Sequence, residues 1–97
     1  MGKLFTIHCI AWHDGAPLLQ EVRLEANKLG LLDNSPSLID NLDDKCRHAL
    51  ALNEKGSAIG CARITPEKRI DRIVVLPHEY RAQIETALSE MLRDYAS

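Results

Sequence analysis

Aromatic residues are scarce in this 97-residue chain, at 4%, so its core has to rest on Leu, Ile, Val and Ala. Cysteines number three, Cys9, Cys46 and Cys61. An odd count without paired spacing argues against a disulfide framework and points to a reducing, cytoplasmic compartment. An excess of charge of one sign is also missing. A formal net charge of -2 with interleaved signs gives no electrostatic case for nucleic acid or an acidic membrane surface. No apolar run is long enough to span a bilayer. The first, Leu4 to Trp12, is broken by Thr6 and His8, and it lacks the cleavage pattern of a signal peptide. Glycine is sparse, and none occurs between Pro77 and Ser97. What remains, 45% apolar and 27% charged, is the composition of one soluble globular domain, residues 1–97.

Period-two alternation from Leu4 to Ala11 predicts a first strand, with Phe5, Ile7 and Cys9 on one face and Thr6, His8 and Ile10 on the other. Asp14-Gly15 reads as a turn and Pro17 as part of the first turn of a helix. Leu18, Leu19, Val22, Ala26 and Leu29 recur at helical spacing, and Gly30 stands where a left-handed terminator belongs. Residues 31–45 are polar and irregular, with a candidate helical turn at Ser35-Pro36. Residues 47–53, 58–65 and 69–76 then read as three strands. The first two are joined by Glu54-Lys55-Gly56-Ser57 and the next pair by Pro66-Glu67-Lys68. Ile73-Val74-Val75-Leu76 is continuously apolar, as in a strand covered on both faces. Ile84, Ala87, Leu88, Met91, Leu92 and Tyr95 form an unbroken helical stripe.

The run His48-Ala49-Leu50-Ala51-Leu52, then Gly56, then Ile59-Gly60-Cys61-Ala62-Arg63-Ile64 resembles the paired central strands of the GNAT superfamily of N-acetyltransferases. Arg72 to Pro77 resembles that family's next strand, which commonly ends in Val-x-Pro, and Leu19 to Asn27 fits its first helix. The resemblance covers about residues 4–96. It implies that the turn after Pro77 is the place where backbone N–H groups at a helix N-terminus hold the pyrophosphate of acetyl-coenzyme A. The positions equivalent to that site are Val75, Leu76, Tyr80, Arg81, Gln83 and Glu85.

Here the chain departs from the family's Arg/Gln-x-x-Gly-x-Gly/Ala signature. Tyr80 stands at the Arg/Gln position, Gln83 at the first glycine and Glu85 at the second. Glu85 brings negative charge to the phosphate position and is itself a partner for the helix dipole. A register shifted to Arg81 replaces the glycines with Ile84 and Thr86 instead. The chain is also shorter than the family's fold, so the resemblance reaches only its N-terminal half.

Other constellations carry less. His8, Cys9 and His13 are close in sequence, but alternation sends His8 and Cys9 to opposite faces, so no metal site is expected. Cys61 and His48 fall on adjacent strands, where a structural cysteine is the ordinary reading of the pair. Glu67 to Arg72 is a mixed charge run within which Asp71 is the one weak catalytic candidate, because family members can place a general base on this strand. Asp40, Asp43 and Asp44 lie where the family recognises acceptor amines, and otherwise read as a solvated loop.

The expected fold is therefore α/β of the α+β kind, a mostly antiparallel four-stranded sheet in the order 1-2-3-4 with helices packed on it. The expected function is a non-catalytic GNAT-like module without a cofactor, acting as a homodimer or with a protein partner. The fourth strand, apolar on both faces with an uncovered outer edge, would supply the dimer contact. Residues 31–45 folding over that edge is the alternative. A second function, from another class, is an acyl-coenzyme A-dependent N-acyltransferase with an altered pyrophosphate turn, completed by another chain.

Overall fold

The computed structural model describes residues 4–30 and 42–96. β1 (Phe5–Ala11) runs straight into α1 (Trp12–Lys28). A single 3₁₀ turn, Asp43–Lys45, precedes β2 (Arg47–Asn53), β3 (Ala58–Ile64) and β4 (Ile70–Val75), and α2 (Arg81–Ala96) follows. The sheet has the order β1-β2-β3-β4 with every neighbouring pair antiparallel. Both the fold class and the strand order match the expectation. The Ser35-Pro36 turn, Asp40 and any cover that residues 31–41 give the sheet edge lie outside the described residues.

One helix lies on each face, and strand alternation divides the apolar side chains between them. On the α2 face, Ala49, Ala51, Ile59, Ala62, Ile64 and Val75 meet Ile84, Leu88 and Leu92, with Phe5 and Ile7 at the margin. On the α1 face, Leu50, Ala58, Cys61 and Val74 meet Leu19, Val22 and Ala26. β3 lies between both layers, and all seven of its residues are buried. Small residues on β2 and β3 let both helices settle close to the sheet, which is how a chain so poor in aromatics closes its core.

Two expectations are corrected. Asp14 and Gly15 are not a turn but part of the first turn of α1, which begins at Trp12. Gly15 is buried there, and a Cβ on it would collide with Ile10 Cδ1, so glycine serves close approach rather than chain reversal. Pro17 consequently sits inside the helix. Its missing N–H removes the helical donor to the carbonyl of His13, a residue exposed to water.

The second correction concerns β4, which is not covered along its whole length. Val74 and Val75 are buried at 5% and 2% exposure, but Ile73 is 42% exposed. The pairing passes from Arg63↔Asp71 to Cys61↔Val74, so two β4 residues, Arg72 and Ile73, oppose Ala62 alone. This bulge places Arg72 at φ 50 and turns the Ile73 side chain out of the core. Among the described residues no strand pairs with the outer edge of β4.

Candidate functional site

The turn between β4 and α2 is closed by its own residues. Four N–H groups at the start of any helix lack intrahelical partners. Here the Tyr80 N–H donates to His78 Nδ1 at 3.1 Å and the Arg81 N–H to the His78 carbonyl at 3.2 Å. The Ile84 N–H donates to the Tyr80 carbonyl at 2.9 Å, which begins the regular ladder. His78 thus satisfies two groups that an anion would otherwise bind, and those of Ala82 and Gln83 remain.

The side chains predicted for this site do not converge. Val75 is locked in the α2-face core, and Tyr80 packs against the same cluster. Leu76 packs against the α1-face cluster, and its N–H donates to the Ile59 carbonyl at 2.8 Å. Gln83 is exposed. Arg81 Nε lies 3.2 Å from Glu85 Oε1, one helical turn on, in a partly exposed pair. The first turn contains no acidic residue, so Glu85 lies just beyond the strongest part of the helix dipole. Its carboxylate pairs with Arg81. A cavity of about 190 Å³ beside the turn is walled by Leu4, Asn53, Glu54, Lys55, His78 and Glu79, not by Tyr80, Arg81, Gln83 or Glu85.

A second cluster is buried under the α1 face. Asp43, only 1% exposed, accepts from Arg23 Nη1 at 2.8 Å and Arg23 Nη2 at 3.0 Å. It also accepts from Arg63 Nη1 at 3.1 Å. Arg63 in turn grips Asp71 through Nε at 2.7 Å and Nη2 at 3.3 Å. Arg69 stands 3.8 Å from Asp71 at the rim. The charges alternate along a chain that ties α1, the 3₁₀ turn, β3 and β4 together. Each buried ion has an opposite partner, as removal from water demands.

This geometry decides the acidic candidates. Asp43 is not part of a solvated loop and cannot meet an acceptor amine, since two guanidinium groups cover it. Asp44 is exposed. Asp71 is 27% exposed, and both of its carboxylate oxygens are engaged by Arg63. Its visible role is to orient Arg63.

His48 is fully buried, and its Nε2–H donates to the Asp43 carbonyl at 2.8 Å. Its ring lies 5.2 Å from that of Trp12, over which Arg23 sits at the same distance. Burial lowers the His48 pKa despite the Asp43 carbonyl, so the imidazole is held neutral. Cys61 lies on the same face of the adjacent strand. Burial pushes its thiol up to about 11, with Arg23 opposing. A nucleophile needs the thiolate, so Cys61 behaves as a small buried apolar residue. His8 and Cys9 occupy opposite faces of β1, with His8 Nε2 2.9 Å from Thr6 Oγ1.

Arg23, Asp43 and His48 were the residues hardest to assign from sequence. The available signal was Arg23, which interrupts the inward stripe of Leu19, Val22 and Ala26, together with Arg63 in the middle of a buried strand. Two arginines pointing into a core require a carboxylate between them.

No protein-family model matches the chain, and no curated protein sequence matches it. Solved structures do. The crystal structure of a "putative N-acetyltransferase" from Lactobacillus plantarum superposes with TM-score 0.69 at 18% identity, covering 96% of this chain and 70% of that one. N-acetylglutamate synthase from Neisseria gonorrhoeae, complexed with coenzyme A and N-acetyl-glutamate, superposes with TM-score 0.63 at 18% identity, covering 99% of this chain and 23% of that one. At that identity the likeness establishes the fold: the chain has the GNAT N-acetyltransferase architecture.

Proposed function

We propose that this protein is a non-catalytic module of the N-acetyltransferase fold that acts by associating with a second chain, most simply another copy of itself. The observation that carries the reading is the start of α2. His78 satisfies two of its N–H groups, Tyr80 turns inward and Glu85 pairs with Arg81. The glycines that would admit a pyrophosphate are replaced by Gln83 and Glu85. A coenzyme would have to displace the Arg81–Glu85 pair and face an acidic residue with no glycine beneath it. Association is supported by the outer edge of β4, which no strand among the described residues pairs with, and by the exposed Ile73 beside it. The odd cysteine count without paired spacing supports work in a reducing, cytoplasmic compartment. An amide-shift titration with acetyl-coenzyme A tests the reading: no saturable shifts are expected from His78 to Thr86 at sub-millimolar coenzyme, and saturable shifts there contradict it.

The fold likeness to a synthase crystallised with coenzyme A favours a second reading, an acyl-coenzyme A-dependent N-acyltransferase with an altered turn. The N–H groups of Ala82 and Gln83 would then hold the phosphates, and another chain would complete the site. The same site-resolved titration separates the two readings.

A further inference from the structure

The hairpin joining β3 to β4 has nearly the same build as the one joining β2 to β3. In the first, the Thr65 N–H donates to the Arg69 carbonyl at 2.9 Å and the Lys68 N–H to the Thr65 carbonyl at 2.8 Å. In the second, the Asn53 N–H donates to the Ser57 carbonyl at 2.9 Å and the Gly56 N–H to the Asn53 carbonyl at 2.9 Å. The first residue of each loop also accepts through its side chain, Thr65 Oγ1 from the Arg69 N–H and Asn53 Oδ1 from the Ser57 N–H. Gly56 has φ 83 and Lys68, at the matching position, φ 66. Glycine takes that left-handed conformation freely, whereas a residue with a Cβ incurs a steric cost. Lys68 is exposed, so no packing in the core accounts for a lysine where the sister hairpin uses glycine.

Lys68 borders a cavity of about 440 Å³, a volume suited to a small organic ligand. Lys45 and Arg47 border it too, with Pro66 and Tyr95 as apolar walls, and among the described residues no side-chain carboxylate lines it. Neither Lys45 nor Lys68 has an ion-pair partner among the described residues. The Arg47 guanidinium lies 4.8 Å over the Tyr95 ring, which holds its fork at the mouth of the cavity. Arg47 also stands near the electronegative end of α2, and one cation suffices for that role. Two further ammonium groups remain, one of them kept against backbone preference. The site is far from the turn after β4, because the 16 residues of α2 extend about 24 Å.

We propose that this cavity binds a small molecule bearing a phosphate monoester. Three cations around one space match a dianion whose oxygens can accept from a guanidinium fork and two ammonium groups together. The Tyr95 and Pro66 walls would take the apolar body of the ester. This site is independent of the reading of the α2 turn.

The test is an amide-shift titration with phenyl phosphate at constant ionic strength, with benzoate as the singly charged control. Saturable shifts at Lys45, Arg47 and Thr65 to Lys68 are expected, with benzoate weaker by about tenfold or more. Lys68→Gly keeps the hairpin and relieves the strain, so it should melt no lower than the parent while binding phenyl phosphate about tenfold more weakly. The proposal is overturned by absent saturation, by equal affinity for benzoate or by undiminished binding in Lys68→Gly. A lower melting temperature in that variant also overturns it, since Lys68 would then serve the fold.

Discussion

Arg23 and Asp43, far apart in sequence, meet as a two-pronged pair at 2.8 and 3.0 Å with each side chain 1% exposed. The pair anchors α1 to the short turn that leads into β2, and through Arg63 it reaches β4. Asp43→Asn removes the charge that both buried arginines share. Breaking such a pair costs about 3–5 kcal/mol, whereas Asp44→Asn on the exposed side should change stability by less than about 0.5 kcal/mol. Urea unfolding of the two variants checks the contrast.

His48 gives the fold an acid-sensitive point. Its folded-state pKa is lowered from the ordinary histidine value of 6.5, chiefly by burial. The unfolded chain therefore takes up a proton first as pH falls. The stability contributed by neutral His48 is full above 6.5 and is lost as pH drops below it toward the folded value. The melting temperature should decline between neutral pH and about pH 5. His48→Gln, which can still donate to the Asp43 carbonyl, should flatten that decline. An unchanged slope would assign it to other groups.

Thiol chemistry follows burial. Cys61, held at about 11 and only 1% exposed, should resist alkylation in the native state at pH 8 and label only on unfolding. Cys46 is also buried, while Cys9 is partly exposed. Mass spectrometry of the alkylated protein should find Cys9 modified first. Labelling of Cys61 in the folded state would mean that the α1 face opens readily.

Sedimentation should give a dimer at tens of micromolar. The bulge makes Ile73 the residue with which to probe the edge, since it is 42% exposed while Val74 and Val75 are core. Ile73→Lys should return a folded monomer. A lysine at either valine would bury a charge and unfold the domain instead.

Alternation and turn chemistry made the sheet legible in the sequence. Apolar runs separated by Gly56 and by Pro66-Glu67-Lys68 located β2, β3 and β4, and the stripe from Ile84 located α2. Local features were less legible because tertiary contacts override them. Gly15 resembled a turn glycine, yet its role is to let α1 approach Ile10. Ile73 resembled a core residue, yet a bulge at Arg72 turns it outward. The acidic segment resembled a solvated loop because Asp43 gains its partners only when α1 and β3 come together. The α2 turn was legible as a departure from a pattern, but that His78 fills part of it depended on backbone geometry no spacing rule supplies.

The glycine replacements can be reversed. Gln83→Gly with Glu85→Gly should cost about 1 kcal/mol per site, as glycine does inside a helix, and thermal unfolding measures it. If those two side chains are what exclude the coenzyme, the double variant should bind acetyl-coenzyme A more tightly than the parent.

The most direct test of the central claim is a titration of the unmodified protein with acetyl-coenzyme A, followed by amide shifts residue by residue. The account predicts no saturable change from His78 to Thr86 at sub-millimolar coenzyme, whatever its phosphates do at the distant Lys68 cavity. Saturable shifts centred on His78 to Thr86 would contradict it and make this a coenzyme-binding acyltransferase domain.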